Sequence, residues 1–101
     1  MSTLQSIRRV TIYAAQSLET NLIEQILKLG SKGYTITDAR GMGEHASHHD
    51  PFARSSQVRI ELLVQPQVAE KIMEYARGMA NNHQAVAACV EDVEVCTPEH
   101  F

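Results

Sequence analysis

From Arg9 to Ala14, apolar Val10, Ile12 and Ala14 alternate with Arg9, Thr11 and Tyr13. A period of two with one apolar face predicts a strand lying on a core. Ser17 can cap a helix, and Leu18, Leu22, Ile23, Ile26, Leu27 and Leu29 recur at helical spacing until Gly30 supplies a stop. The spacing predicts a helix from about Leu18 to Leu29. Tyr34 to Ala39 is β-branched and alternating, a second strand. Val58, Ile60, Leu62 and Val64 alternate with Gln57, Arg59, Glu61 and Leu63, the most regular strand pattern of the chain. Pro66 suits the first turn of a second helix, whose stripe of Val68, Ile72, Tyr75, Ala76 and Met79 runs to about Ala80. Asn81, Asn82, His83 and Gln84 break it. Ala85 to Val90 predicts a fourth strand. Alternation resumes out of phase at Val93 and Val95, which predicts a bulge or a short added strand after Glu91 and Asp92.

This β-α-β-β-α-β order, with both helices on one face, specifies an α+β ferredoxin-like sandwich with an antiparallel sheet. The face away from the helices is expected to carry Arg9, Thr11, Tyr13, Thr35, Thr37, Arg59 and Glu61. That set is too polar for a second core and too mixed for a plain solvent face, as in surfaces that pack in an oligomer. Between strands two and three, residues 41–56 are rich in Gly, Ser, His, Asp and Pro, without periodicity. A connection of that length in a small domain is usually functional or disordered.

Composition narrows the function. The 101 residues suffice for one core, so the chain reads as a single domain over 1–101, and 44% hydrophobic with 21% charged residues is a globular profile. A formal charge of -3 gives no broad basic surface. The one basic pair, Arg8 and Arg9, lies inside a strand, so nucleic acid is not expected as a partner. Met1 to Ser6 is polar and no run nears the length that spans a bilayer, so a cytoplasmic protein without membrane insertion is expected. Cys89 and Cys96 lack CxxC spacing. Cys89 is expected in the core, and a redox role for Cys96 stays open.

The chain carries no GxSxG, HExxH or Walker motif, and neither cysteine has a histidine or a helix start beside it, so no catalytic residue is assigned and a non-enzyme is expected. Glu61, on the polar side of a strand, is more simply solvated or salt-bridged than a general base. His45, His48, His49 and Asp50 are of metal-ligand type, yet they sit in the aperiodic loop, and no metal site is assigned. Gly41-Met42-Gly43 after a strand is more suggestive, because residues without Cβ let backbone N–H groups converge on a phosphate.

KGYTITDARGMG from Lys32 to Gly43, the long loop, VRIELLV from Val58 to Val64 and NNHQAVAACVEDVEV from Asn81 to Val95 resemble the PII superfamily of trimeric signalling proteins. The likeness covers most of the chain in order. It is similar in particular to the PII-like branch associated with inorganic-carbon uptake, SbtB and the carboxysome-operon protein, and CTPE from Cys96 to Glu99 echoes the CGPEGC tail of some SbtB proteins. The resemblance implies a cytoplasmic homotrimer with an adenine nucleotide in the cleft between subunits, a T-loop at about 41–56 and a tail at about 96–101. It implies Thr35 near the adenine, Gly41, Met42 and Gly43 at the phosphates, and Glu61, Leu62, Leu63 and Val64 along the ribose and base. Asn81, Asn82, His83, Gln84, Ala85 and Val86, at the B-loop position, would close the site. Bicarbonate would use Arg40, Gly41, Gly43, Arg54 and Arg59. The implied role is to regulate inorganic-carbon uptake or metabolism through the T-loop, with a bicarbonate transporter or carboxysome-related protein as partner.

The departures from the family pattern set the ligand. Glu44 stands where a basic residue is usual after the GxG, and Asn81 to Gln84 replace a glycine-rich loop ending in lysine. Val95 and Thr97 replace arginines, so ADP or AMP is expected over ATP. The loop has no tyrosine for uridylylation, and His45 replaces the glutamine that helps bind Mg-ATP and 2-oxoglutarate. Two alternatives remain: a metal-responsive trimer like the CutA proteins, using the loop histidines, or a small ferredoxin-like enzyme such as an isomerase or heme-degrading monooxygenase.

Overall fold

The structure, a computed structural model, describes residues 3–41 and 56–101. Four strands and two α-helices follow in the order β1 (Gln5–Ala15), α1 (Glu19–Lys28), β2 (Thr35–Ala39), β3 (Gln57–Val64), α2 (Pro66–Asn81) and β4 (Val86–Val95). The strands form one antiparallel sheet ordered β2-β3-β1-β4. This is the α+β ferredoxin-like arrangement that the hydrophobic pattern specifies.

The alternation seen in the sequence divides the sheet. Val10, Ile12 and Ala14 of β1 and Val58, Ile60, Leu62 and Val64 of β3 pack with Leu22 and Ile26 of α1 and Ala69, Ile72 and Met79 of α2 in one core. Both helices therefore cover one face. Ile7 is fully buried outside this cluster, on the same parity as Arg9, Thr11 and Tyr13.

Local chemistry sets where the helices begin and end. The sequence assigned Ser17 as a cap, but a 3-10 turn over Gln16–Leu18 leads into α1 and no side chain caps either element. Its far end closes as the pattern demands. Gly30 takes φ +118°, its N–H donates to the Leu27 carbonyl, and the Ser31 N–H donates to the Ile26 carbonyl. This is a Schellman closure, in which a left-handed residue satisfies the last helical carbonyls. Pro66 opens α2 from extended Gln65. At the other end His83 takes φ 64° while its N–H and that of Gln84 bond the carbonyls of Ala80 and Met79, the same closure built on a residue other than glycine.

Two further expectations are corrected. β4 has no break at Glu91 and Asp92, since its ladder with β1 runs unbroken from Val86↔Ala14 to Val95↔Gln5. The phase change is instead a change of covered face along an unbroken strand: Val86 and Ala88 are half-buried on the helix side, Val90 there is 44% exposed, and Val93 and Val95 are half-buried on the opposite face, Val93 across from fully buried Ile7. Cys89 is exposed rather than core. It pairs with Thr11 and so lies on the face away from the helices.

Candidate functional site

On the outer face, Arg9, Thr11 and Tyr13 of β1 lie beside Leu63, Glu61, Arg59 and Gln57 of β3, and Thr35, Thr37 and Ala39 of β2 follow. Ala87, Cys89 and Glu91 extend the row on β4. The sequence reading omitted these three because the apolar run of Ala85 to Val90 hid its alternation.

Ion pairs commit most of the charge here. The Arg9 Nε–H donates to Glu91 Oε1 at 2.8 Å. That hydrogen bond, with the attraction behind it, raises the Arg9 pKa and holds the Glu91 carboxyl below its ordinary value. Arg8 pairs with Asp92 at 3.0 Å, so each member of the basic pair has its own acid. Arg59 and Glu61, two apart on β3, pair at 3.1 Å, while Arg59 Nε is buried without a hydrogen-bond partner among the described residues. Glu61 is thus salt-bridged, as its strand position suggested.

A cavity of about 280 Å³ opens where Thr35 meets Glu61 across β2 and β3. Leu63 and Arg9 form its floor on the sheet, and Lys32, Gly33 and Tyr34 form one wall. That wall is fastened by Ser31, only 6% exposed, whose Oγ–H donates to the Gly33 carbonyl at 2.6 Å. His100, the last residue of a 3-10 turn over Pro98–His100, and Phe101 after it form another wall. Of the residues assigned from the sequence, Thr35, Glu61 and Leu63 meet here. Arg9, Lys32, Gly33, Tyr34, His100 and Phe101 were missed. Gly33 and Tyr34 lie within the quoted KGYT run, a signal for part of that wall, but nothing in spacing announces that residues near 100 return to β3.

Leu62 and Val64 do not present side chains to this cavity. They are 1% and 2% exposed, in the core beneath the helices, so any ligand contact from them is through backbone.

Arg40, Gly41 and Asn81 to Val86, among the described residues, stand at the opposite end of the sheet. β2 ends at Ala39 opposite Gln57, β1 ends near the same residue, and the Ala15 N–H bonds the Ala85 carbonyl. Gly41 and Asn81 to Val86 therefore share one end, beyond the end of β2 at Ala39, itself about 13 Å from Thr35 at ~3.3 Å per residue. Gln57 Nε2 donates to the Gly41 carbonyl at 3.0 Å, and the Gln16 N–H to the Ser56 carbonyl at 2.8 Å. A second cavity, also about 280 Å³, lies here between Gln16, Asp38, Ala39, Arg40 and Gln57. Arg59, opposite Thr37, does not line it. Met42, Gly43, Glu44, His45, His48, His49, Asp50 and Arg54 lie outside the described residues.

Among the described residues no three His, Cys, Asp or Glu side chains group as a metal site. No helix among them is long and apolar enough to cross a membrane.

The family model of the nitrogen regulatory protein P-II matches residues 7–100. The chain belongs to this family of regulatory proteins, and it is PII-like. It is similar to the crystal structure of a PII-like signalling protein from Thermus thermophilus, with 35% identity over 97% of this chain and 98% of that one, and a TM-score of 0.79. It shares its fold with CPII, a nitrogen regulatory PII-like protein from Thiomonas intermedia. The CPII structure bound to ADP, AMP and bicarbonate is 20% identical, covers 97% of this chain and 95% of that one, and gives a TM-score of 0.81. The apo form of CPII is 18% identical with coverage of 91% and 94% and a TM-score of 0.75. No curated protein sequence matches the chain significantly.

Proposed function

We propose that this protein is a homotrimeric PII-like sensor that binds ADP or AMP in clefts between its subunits, together with bicarbonate, and regulates inorganic-carbon uptake or metabolism through the segment 41–56. The observation that supports this reading is the juxtaposition of Thr35, Glu61 and Leu63 around one cavity in a chain of P-II family membership. A fold neighbour, CPII, binds ADP, AMP and bicarbonate. The outer face suits association with further copies: Tyr13, 44% exposed, shares it with exposed Cys89 and half-buried Leu63, a surface that gains by being covered.

Along β2 the base would lie toward Thr35 and the phosphates toward Gly41. Residues Asn81 to Val86 and, beyond the described residues, Met42 and Gly43 would complete that end. Arg40 beside Gly41 is the cation best placed for bicarbonate, with Gly43 and Arg54 as further contributors; Arg59 is engaged by Glu61. Glu44, Gln84, Val95 and Thr97 supply no positive charge, and each missing charge-assisted phosphate contact is worth about 1.5–3 kcal/mol, so a third phosphate gains little. The partner would be a bicarbonate transporter or carboxysome-related protein, met in the cytoplasm.

Calorimetry with ADP, AMP and ATP, with and without bicarbonate, tests the ligand. ADP or AMP should bind at least as tightly as ATP. Clearly tighter, magnesium-dependent ATP binding contradicts the reading. Light scattering should return three times the 11.2 kDa chain mass, and a monomer at micromolar concentration removes the intersubunit site.

A further inference from the structure

The geometry points to Phe101, backed by His100, as an aromatic wall that selects a flat heteroaromatic base at the Thr35 end of the cavity. The inference rests on the adenine-nucleotide reading above and adds to it the group that grips the base. Phe101 is half-buried and lines the same cavity as Leu63, Glu61 and Tyr34. The cavity therefore has an apolar floor residue in Leu63 and aromatic side chains in two of its walls. Such surroundings suit a ring with two apolar faces better than a phosphate chain. Of the cations lining the cavity, the Arg9 guanidinium is held by Glu91 and Lys32 stands on one wall, while Glu61 brings a carboxylate to the same space.

The wall is held in place. The His100 N–H donates to the Thr97 carbonyl at 3.0 Å and the Phe101 N–H to the Pro98 carbonyl at 3.1 Å, in a turn whose entry is stiffened by Pro98. The His100 and Phe101 rings lie edge to face, with centroids 6.4 Å apart and planes at 62°. Phe101 thus meets a ligand with its orientation largely set, which lowers the ordering cost of stacking.

The test compares Phe101→Ala and Phe101→Trp with the unaltered protein against two ligands, AMP and ribose 5-phosphate, which share the sugar phosphate and differ in the base. Stacking on an aromatic side chain is worth enough that Phe101→Ala should weaken AMP roughly five- to a hundredfold while Phe101→Trp stays within about threefold. Ribose 5-phosphate, too weak for direct titration, is measured by its displacement of AMP, and its affinity should be equal in all three proteins. Equal loss for both ligands would make Phe101 a merely structural residue and overturn the inference. Unchanged AMP binding in Phe101→Ala overturns it too and leaves the nucleotide reading standing. If the unaltered protein binds no adenine nucleotide, both fall together.

Discussion

Gln57 Nε2 donates to the carbonyl of Gly41, sixteen residues earlier, and so ties the entry of the long connection to its exit. The bond lies on the surface, where its net worth is about 0.5–1.5 kcal/mol at most. Its larger consequence is positional, because it fixes the Gly41 peptide beside Arg40 and Asp38. Gln57→Ala should cost no more than about 1.5 kcal/mol in urea unfolding. ADP affinity should drop several-fold in calorimetry, and an unchanged affinity would separate this end of the sheet from the ligand.

Gly41 offers a sharper test. Among the described residues, a Cβ added there would meet only Gln57 Oε1, at 4.0 Å, which is ordinary contact. The described part of the fold does not require glycine at this position. Gly41→Ala should therefore melt within a degree or two of the unaltered protein, and a loss of nucleotide affinity in that variant would report close approach of a phosphate.

Gly30 is the contrasting case, with φ +118° and a built Cβ only 3.1 Å from Val68 Cγ2. Gly30→Ala should destabilise by about 1–3 kcal/mol, the left-handed backbone penalty plus the squeeze on Val68. Adding Val68→Ala should relieve the squeeze and leave the backbone penalty, which a double-mutant cycle by chemical denaturation resolves.

At the end of α2 the same closure rests on His83 at φ 64°. His83→Gly removes the left-handed penalty and adds chain entropy to the unfolded state, so the net gain should be small, up to about 1 kcal/mol. A marked loss of stability would mean that the imidazole itself holds the turn.

The Arg9 and Glu91 pair gives a pH dependence of known sign. The Glu91 pKa is lowered by its hydrogen bond and attraction to Arg9. Its contribution is therefore fully present above the unfolded carboxylate value and is lost as pH falls through the lower, folded value. Both groups are well exposed, so the effect is small. The difference in stability between the unaltered protein and Glu91→Gln should be constant near neutrality and should close below about pH 4, the ordinary carboxylate range.

The hydrophobic rhythm made the sheet and both helices legible, because burial of alternate residues is what drives strands such as β3 onto a core. It failed at β4, where Ala87, Ala88 and Cys89 are small enough to sit on either face, and the core expectation for Cys89 failed with it. Glu61, Thr35 and Leu63 could be placed together through the resemblance of their segments to a family. Phe101 could not, since the turn from Pro98 that carries it to Leu63 leaves no periodic mark. Ser17 misled for a related reason: a 3-10 turn from Gln16 takes the role its hydroxyl was expected to fill.

The alternation of β3 also bears on how such a protein can diverge. Ile60, Leu62 and Val64 are closed beneath the helices, while Glu61 and Leu63 face the cavity one residue away. Substitutions at 61 and 63 can alter what is recognised without changing the volume or polarity of the interior. Those at 60, 62 and 64 act first on folding. A lineage can therefore remodel this cavity by drift on the odd-numbered positions, holding the same scaffold throughout.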